Sequence, residues 1–311
     1  APRPRLAAGA RRRHWGGYVR KTAPGFSRAP GRVTAHRAGS FLATATLVAV
    51  SCIAIIPFAF MAGASLMPGS DVTSIPYRWI PQKPLWSNYL RALQGSDGDW
   101  MYLRNIMNSF IVATTVALSS VTLASVTGYG LAKFRFRGRN IVFMGIMSTM
   151  MIPFEAVMIP LYLTAVKLGL QDSYAGLILP FLTSAFGVFL MRQYLLGFPE
   201  ELLDAARIDG CSEPRIFRSI VFKNAKPAVA TLAILAFRGQ WDNLLWPLLI
   251  TQSDKLKTIP SYIIRYTADL TADEGTMMAV AVIAAMPVFV LFFSMSKYFL
   301  QGAGVYSGSK T

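Results

Sequence analysis

Cysteine, histidine and carboxylates are all scarce here: 311 residues hold 2 Cys, 2 His and 15 Asp plus Glu. Cys52 falls in a long apolar run and Cys211 in a polar loop. That placement gives no disulfide framework, and no Cys/His spacing suits a structural metal. His14 and His36 lie in a basic N-terminal segment without a partner carboxylate, which argues against catalysis or metal binding there. No G-x-x-x-x-G-K-[ST] loop, H-E-x-x-H or G-x-S-x-G is present. GYGLAKF (Gly128–Phe134) carries glycines, but without the phosphate-loop spacing. The chain therefore has no P-loop with which to bind a nucleotide itself, and no constellation of a zinc protease or serine hydrolase. Internal repeats and low-complexity tracts are absent too.

What it has is apolar length. Hydrophobic residues make up 53%, charged residues 15%, and mean hydropathy is +0.42. This is the composition of an all-α polytopic membrane protein, whose apolar surface faces lipid. Six spans are expected, at about residues 41–67, 105–131, 141–165, 174–196, 227–250 and 277–300. Each offers roughly 20 residues, enough at ~1.5 Å per residue to cross ~30 Å of hydrocarbon. Pro57, Pro153, Pro160 and Pro287 are expected to kink them. The small residues Gly128 and Gly130 should allow close helix approach.

The net charge of +16 is uneven. Residues 1–39 carry ten bases and no acid, and read as a disordered cytoplasmic tail with affinity for anionic lipid. KFRFRGRN, with Lys133, Arg135, Arg137 and Arg139, is a dense basic turn that marks the cytoplasmic side. Six spans put that turn, the tail, the polar stretch after residue 199 and the C-terminal residues 301–311 on the same side. The charge is thus explained by membrane topology, not by nucleic-acid binding. Residues 40–300 form one transmembrane unit in this reading, and both termini are cytoplasmic.

The chain is organised around that polar stretch, Glu200–Lys226. Acids and bases alternate through it between two apolar spans. Pro199 can sit in a first helical turn, and Glu200 and Glu201 favour its positive end. Gly210 suits a left-handed helix stop. Ser212 can cap a second helix with Pro214 in its first turn and Ile216, Phe217 and Ile220 on one face. Two short helices hinged at Gly210 should lie against the membrane and offer a surface to a partner; an amphipathic connector is the plainer alternative.

Three charges sit at membrane depth: Glu155, Arg238 and Asp242. Each must face protein or water. Arg238 and Asp242 share a helix face and form either a packing ion pair or, with Gln240 and Asn243, the polar lining of a solute path. Trp241 and Trp246 are packing residues or platforms for a sugar ring. Glu155 is either a path residue or a helix-to-helix hydrogen-bond partner.

DAARIDG (Asp204–Gly210) resembles the cytoplasmic EAA signature of ATP-binding-cassette importer permeases: E-A-A, three residues, G, nine residues, I-x-L-P. Asp204, Ala205, Ala206, Gly210 and Ile220 match, with Asp for Glu, while Phe222 and Lys223 replace Leu and Pro. Asn108–Ser109, GYGLAKFRFRGR, MIPFEAVMIPLY, GVFLMRQYLLGFPEELLDAARIDG and WDNLLWPL follow in the order of the carbohydrate-uptake branch. They are similar to the second permease of the maltose and glycerol-3-phosphate systems. The resemblance implies a type I importer permease in a bacterial cell membrane, coupled through Glu200–Phe222 to a separate ATPase. The coupling residues would be Glu201, Asp204, Ala205, Ala206, Asp209, Gly210 and Ile220. It implies as partners a homologous second permease, two ATPase subunits that hold ATP and magnesium, and an extracytoplasmic solute-binding protein. This chain would bind no cofactor. An oligosaccharide, amino sugar, polyol or glycerophosphodiester could be the cargo. A membrane-embedded enzyme and a passive channel are the remote rivals.

Overall fold

The computed structural model describes residues 31–76, 78–95, 99–268 and 273–304, and these are helical with no strand. The expected basic tail lies outside them up to residue 30, as do residues 305–311. Helix α1 (Gly31–Ala64) starts ahead of Phe41 and passes through Pro57 without ending. Its residues 31–55 are a compact unit of their own, apolar and exposed at Phe41, Leu42, Leu47 and Ile53.

In the second unit, residues 56–311, a short α2 (Ser87–Gln94) precedes α3 (Met101–Lys133). The stretch between Val72 and Ser87 forms no continuous helix, as its prolines require. Around α3 gather α4 (Arg139–Thr149), α5 (Phe154–Lys167), α6 (Tyr174–Ile178), α7 (Ala185–Leu196), α8 (Glu200–Ile208) and α9 (Glu213–Ile216). The chain then runs through α10 (Lys226–Trp241), α11 (Leu245–Ile250), α12 (Ile259–Ala268) and α13 (Glu274–Gly304).

Helix α3 is the mast of this unit. Ala113, Ala117, Ala124, Ser125 and Gly128 keep its inward faces small. Helices α7 and α10 pack closely along it as a result. A Cβ on Gly128 would lie 2.7 Å from Met191 Cβ and 2.9 Å from the Arg192 nitrogen, so Gly128 makes the expected close approach. Gly130 does not: nothing lies within 4 Å of its Cβ position.

Three of the expected spans are interrupted instead of being single helices. Among the described residues only Ser40–Ala64, Met101–Lys133 and Glu274–Ser294 are single helices long and apolar enough to cross a membrane. The third expected span bends by 93° where α4 stops and α5 begins, at Met150–Pro153. Pro153 therefore caps α5 rather than kinking a helix, and Pro160 sits inside α5 without stopping it. The fourth bends by 42° at Leu182–Ser184, where the Ser184 hydroxyl accepts from the Gly187 N–H and starts α7. The fifth stops at Asp242–Leu244, between α10 and α11. Helix α10 rises only about 24 Å over its 16 residues, less than the ~30 Å of hydrocarbon, and α11 follows after that break.

Polar residues of α3 hold the loop after α11 and the starts of α6 and α12. Asn108 donates to the Lys255 and Lys257 carbonyls at 2.9 Å and accepts from the Tyr174 hydroxyl at 2.6 Å. Ser109 accepts from the Ile259 N–H at 2.8 Å. Asp172, at φ 51° in the turn after α5, accepts from the Gln252 and Ser253 N–H groups and the Ser253 hydroxyl. Partial burial pushes the Asp172 carboxyl up, but those hydrogen bonds outweigh it and hold the group below the usual range.

Candidate functional site

The polar stretch folds into the expected elbow. Helix α8 begins after Pro199 with Glu200 and Glu201 in its first turn. Leu203 and Ala206 turn inward and are buried, while Leu202 and Ile208 stay exposed. At the C-terminus the Cys211 N–H donates to the Ala206 carbonyl, and the Gly210 N–H donates to the Arg207 carbonyl, both at 3.0 Å. These two bonds form a Schellman stop, which needs a left-handed residue; Gly210 supplies it at φ 75°. Ser212 takes the N-cap position of α9, but its side chain makes no capping bond.

The second arm holds the apolar face expected of it. Ile216 is buried, and Phe217 and Ile220 pack against the same cluster. Phe217–Val221 winds as a π-helix, a turn that the sequence did not announce. It ends just before Phe222 and Lys223, where the signature departs and a short helical turn follows. Ala225 then breaks the chain before α10, with an 81° bend between the arm and that helix.

An electrostatic clamp ties the two arms together. The Arg207 guanidinium donates to Asp204 at 2.8 Å and to Glu213 at 2.7 Å, and Glu213 also accepts from the Tyr129 hydroxyl of α3 at 2.8 Å. Lys133 donates to the Phe198 carbonyl at 2.6 Å. The elbow is thus fastened to the mast by polar contacts and by the buried face of Leu203, Ala206, Ile216 and Val221. The Arg207 guanidinium holds the Glu213 carboxyl below the usual range, against a smaller opposing push from burial and with help from Tyr129. The clamp therefore contributes fully above the ordinary carboxylate pKa of about 4.3 and is lost as pH falls through the lowered value. Amide exchange at residues 209–211, corrected for intrinsic rate, should accelerate only below that range. Glu213→Gln should make it fast and pH-independent; a wild-type profile in that variant would refute the clamp.

The candidate path residues separate. Arg238 Nε lies 3.2 Å from Asp242, and both side chains are more than half exposed. Trp241 is buried: it stacks on Phe237 and donates to the Ala284 carbonyl, so it packs α10 against α13. Trp246 is buried too and donates to the Gly176 carbonyl. Glu155 is exposed in the first turn of α5. Gln240 and Asn243 alone among the candidates line a pocket of about 330 Å³ between α3, α7 and α10, where the Asn243 amide donates to Gln240. Reading by hydropathy passed over Arg192, one charge inside an apolar run; its guanidinium stacks 3.9 Å above the Phe143 ring and joins α7 to α4.

Known proteins share this plan. Residues 120–304 match the family described as binding-protein-dependent transport system inner membrane component. The chain is 34% identical over 258 residues to the arabinooligosaccharides transport system permease protein AraQ of Bacillus subtilis, covering 82% of this chain and 91% of that protein. It is 32% identical over 255 residues to the sn-glycerol-3-phosphate transport system permease protein UgpE of Brucella abortus, covering 80% of this chain and 90% of that protein. A solved bacterial ABC transporter involved in import of the acidic polysaccharide alginate has a chain that superposes with a TM-score of 0.75 at 24% identity, covering 89% of this chain and 100% of that one. With its elbow, its broken apolar spans and these relatives, the chain belongs to the inner membrane components of binding-protein-dependent transport systems, the ABC importer permeases, and has the type I permease fold.

Proposed function

We propose that this chain is half of the transmembrane path of a sugar importer, and that the Gly210 elbow is where an ATPase subunit grips it. A second, homologous permease completes the path. Two ATPase subunits below hold ATP and magnesium, and an extracytoplasmic binding protein delivers solute. The basic turn Lys133–Arg139 and both termini then face the cytoplasm, as the elbow must. Transport is alternating access: closure of the ATPases on ATP swings the elbow and, through the Tyr129–Glu213 bond, α3.

The observation that carries this reading is Ile208, an aliphatic side chain 86% exposed at the tip of a polar elbow whose opposite face is locked to the bundle. Leu202, Glu201 and Asp209 are exposed on the same elbow, so it offers apolar and charged side chains together, as a docking surface does. Ile208→Asp should weaken ATPase association by about 2 kcal/mol, near thirtyfold, since it replaces apolar burial with a charge. Co-purification in mild detergent against ATPase concentration measures it. Unchanged association would remove the elbow from the interface.

A further inference from the structure

The basic turn between α3 and α4 encloses a pocket. Arg135, Phe136, Gly138, Arg139, Asn140 and Ile141 line a concavity of about 360 Å³. Helix α3 ends at Lys133 and α4 begins at Arg139, so the turn lies at a membrane–water boundary. Among the described residues no carboxylate pairs with Arg135, Arg137 or Arg139. The Arg139 side chain reaches the Phe134 carbonyl at 3.4 Å, a long bond that leaves its charge uncompensated. Gly138, at φ 84°, reverses the chain, and no side chain caps the first turn of α4. The first N–H groups of that helix therefore lack an intrahelical partner. A separate observation comes from α7. Arg192 does not line the pocket, but it stacks on Phe143, one turn along α4 from Arg139. Its Nε is buried without a hydrogen-bond partner, and among the described residues no carboxylate pairs with it. This side of α4 thus gathers cations that the chain itself does not neutralise.

We infer that this pocket is a discrete binding site for the headgroup of an anionic phospholipid. Arg135 and Arg139 supply guanidinium forks that match phosphate oxygens, and the open end of α4 favours the same negative charge. What selects a lipid over a soluble anion is the apolar flank. Phe136 and Ile141 line the pocket and are 47% and 76% exposed. Val142 and Met144 continue that exposed apolar surface along α4, and no residue of α4 is buried. A phospholipid with its phosphate between the two arginines can lay its acyl chains on this flank, whereas a soluble anion would leave the flank in water. Lys133, in the same turn, donates to the Phe198 carbonyl just ahead of α8. The lipid site therefore lies on the elbow's side of the bundle.

The test titrates the full chain in mild detergent with phosphatidylglycerol, or with phosphatidylcholine of the same acyl chains, and counts bound lipid by native mass spectrometry. Phosphatidylglycerol should stay bound under conditions that strip phosphatidylcholine. Arg135→Gln and Arg139→Gln should each weaken phosphatidylglycerol binding about tenfold, as loss of a hydrogen bond to a charged group does. Arg137→Gln removes the same charge outside the lining and should weaken it no more than about twofold, because exposed charges are screened. Helical content by circular dichroism should match wild type in all three variants, which separates a lost contact from a folding defect. Equal losses in the three variants would mean diffuse attraction to the surface and overturn the site. Equal retention of the two lipids would overturn it as well. Displacement of phosphatidylglycerol by inorganic phosphate would make the pocket a soluble-anion site and refute the lipid.

Discussion

Gly210→Pro leaves the chain inserted and the ATPases active but reduces solute uptake more than tenfold. The reason is local. Gly210 sits at φ 75°, whereas proline is held near −65°. Proline also removes the N–H that donates to the Arg207 carbonyl, one of the two bonds that end α8. Its ring disfavours the helical conformation of the preceding Asp209, which lies at φ −69° and ψ 1°. Together these cost about 3 kcal/mol or more, enough to open the angle between the arms. The apolar spans do not take part, so insertion is untouched. Gly210→Ala is the graded control: open space surrounds its Cβ position, so it pays only the left-handed penalty of about 1–2 kcal/mol and should retain partial coupling. Uptake per ATP hydrolysed, measured in vesicles, checks the series. A wild-type ratio in Gly210→Pro would mean that the angle of the elbow transmits nothing.

Gly128→Leu removes the folded protein altogether. The added Cβ meets Met191 Cβ at 2.7 Å and backbone atoms of Met191 and Arg192 at 3.1 and 2.9 Å, so α3 and α7 must separate rather than one side chain move. That separation also lifts Arg192 from the Phe143 ring. Overpacking of this kind costs about 1–3 kcal/mol for a modest intrusion, and a leucine exceeds it. Gly128→Ala should lower the melting temperature in detergent and keep activity, while Gly130→Ala, facing open space, should change neither. Equal effects at the two glycines would contradict the packing of α7 on α3.

The elbow was legible because its signals are local. Pro199, Glu200, Gly210 and Pro214 each constrain their own backbone, and their order describes two helices with a stop between them. The pocket was not legible, because hydropathy counts apolar residues without saying whether the helix through them is continuous. Thr183 and Ser184 are mild enough to vanish in an apolar window, and Ser120 looks like any small residue of a packed helix. The tryptophans show the same limit. Trp241 and Trp246 have the composition of a sugar platform, but packing partners on α13 and α6 bury both.

Composition and chain order alone determined that this is a lipid-embedded helical protein with a polar two-helix elbow between two of its spans. Both conclusions depend on interactions within a few residues or with the solvent, and every residue carries those in its own side chain. Tertiary structure decided which spans break, which of the charges and aromatics in the spans are buried, and that Ser120, Gln240 and Asn243 line one pocket. Such a meeting depends on contacts between residues more than a hundred positions apart, which no local pattern encodes.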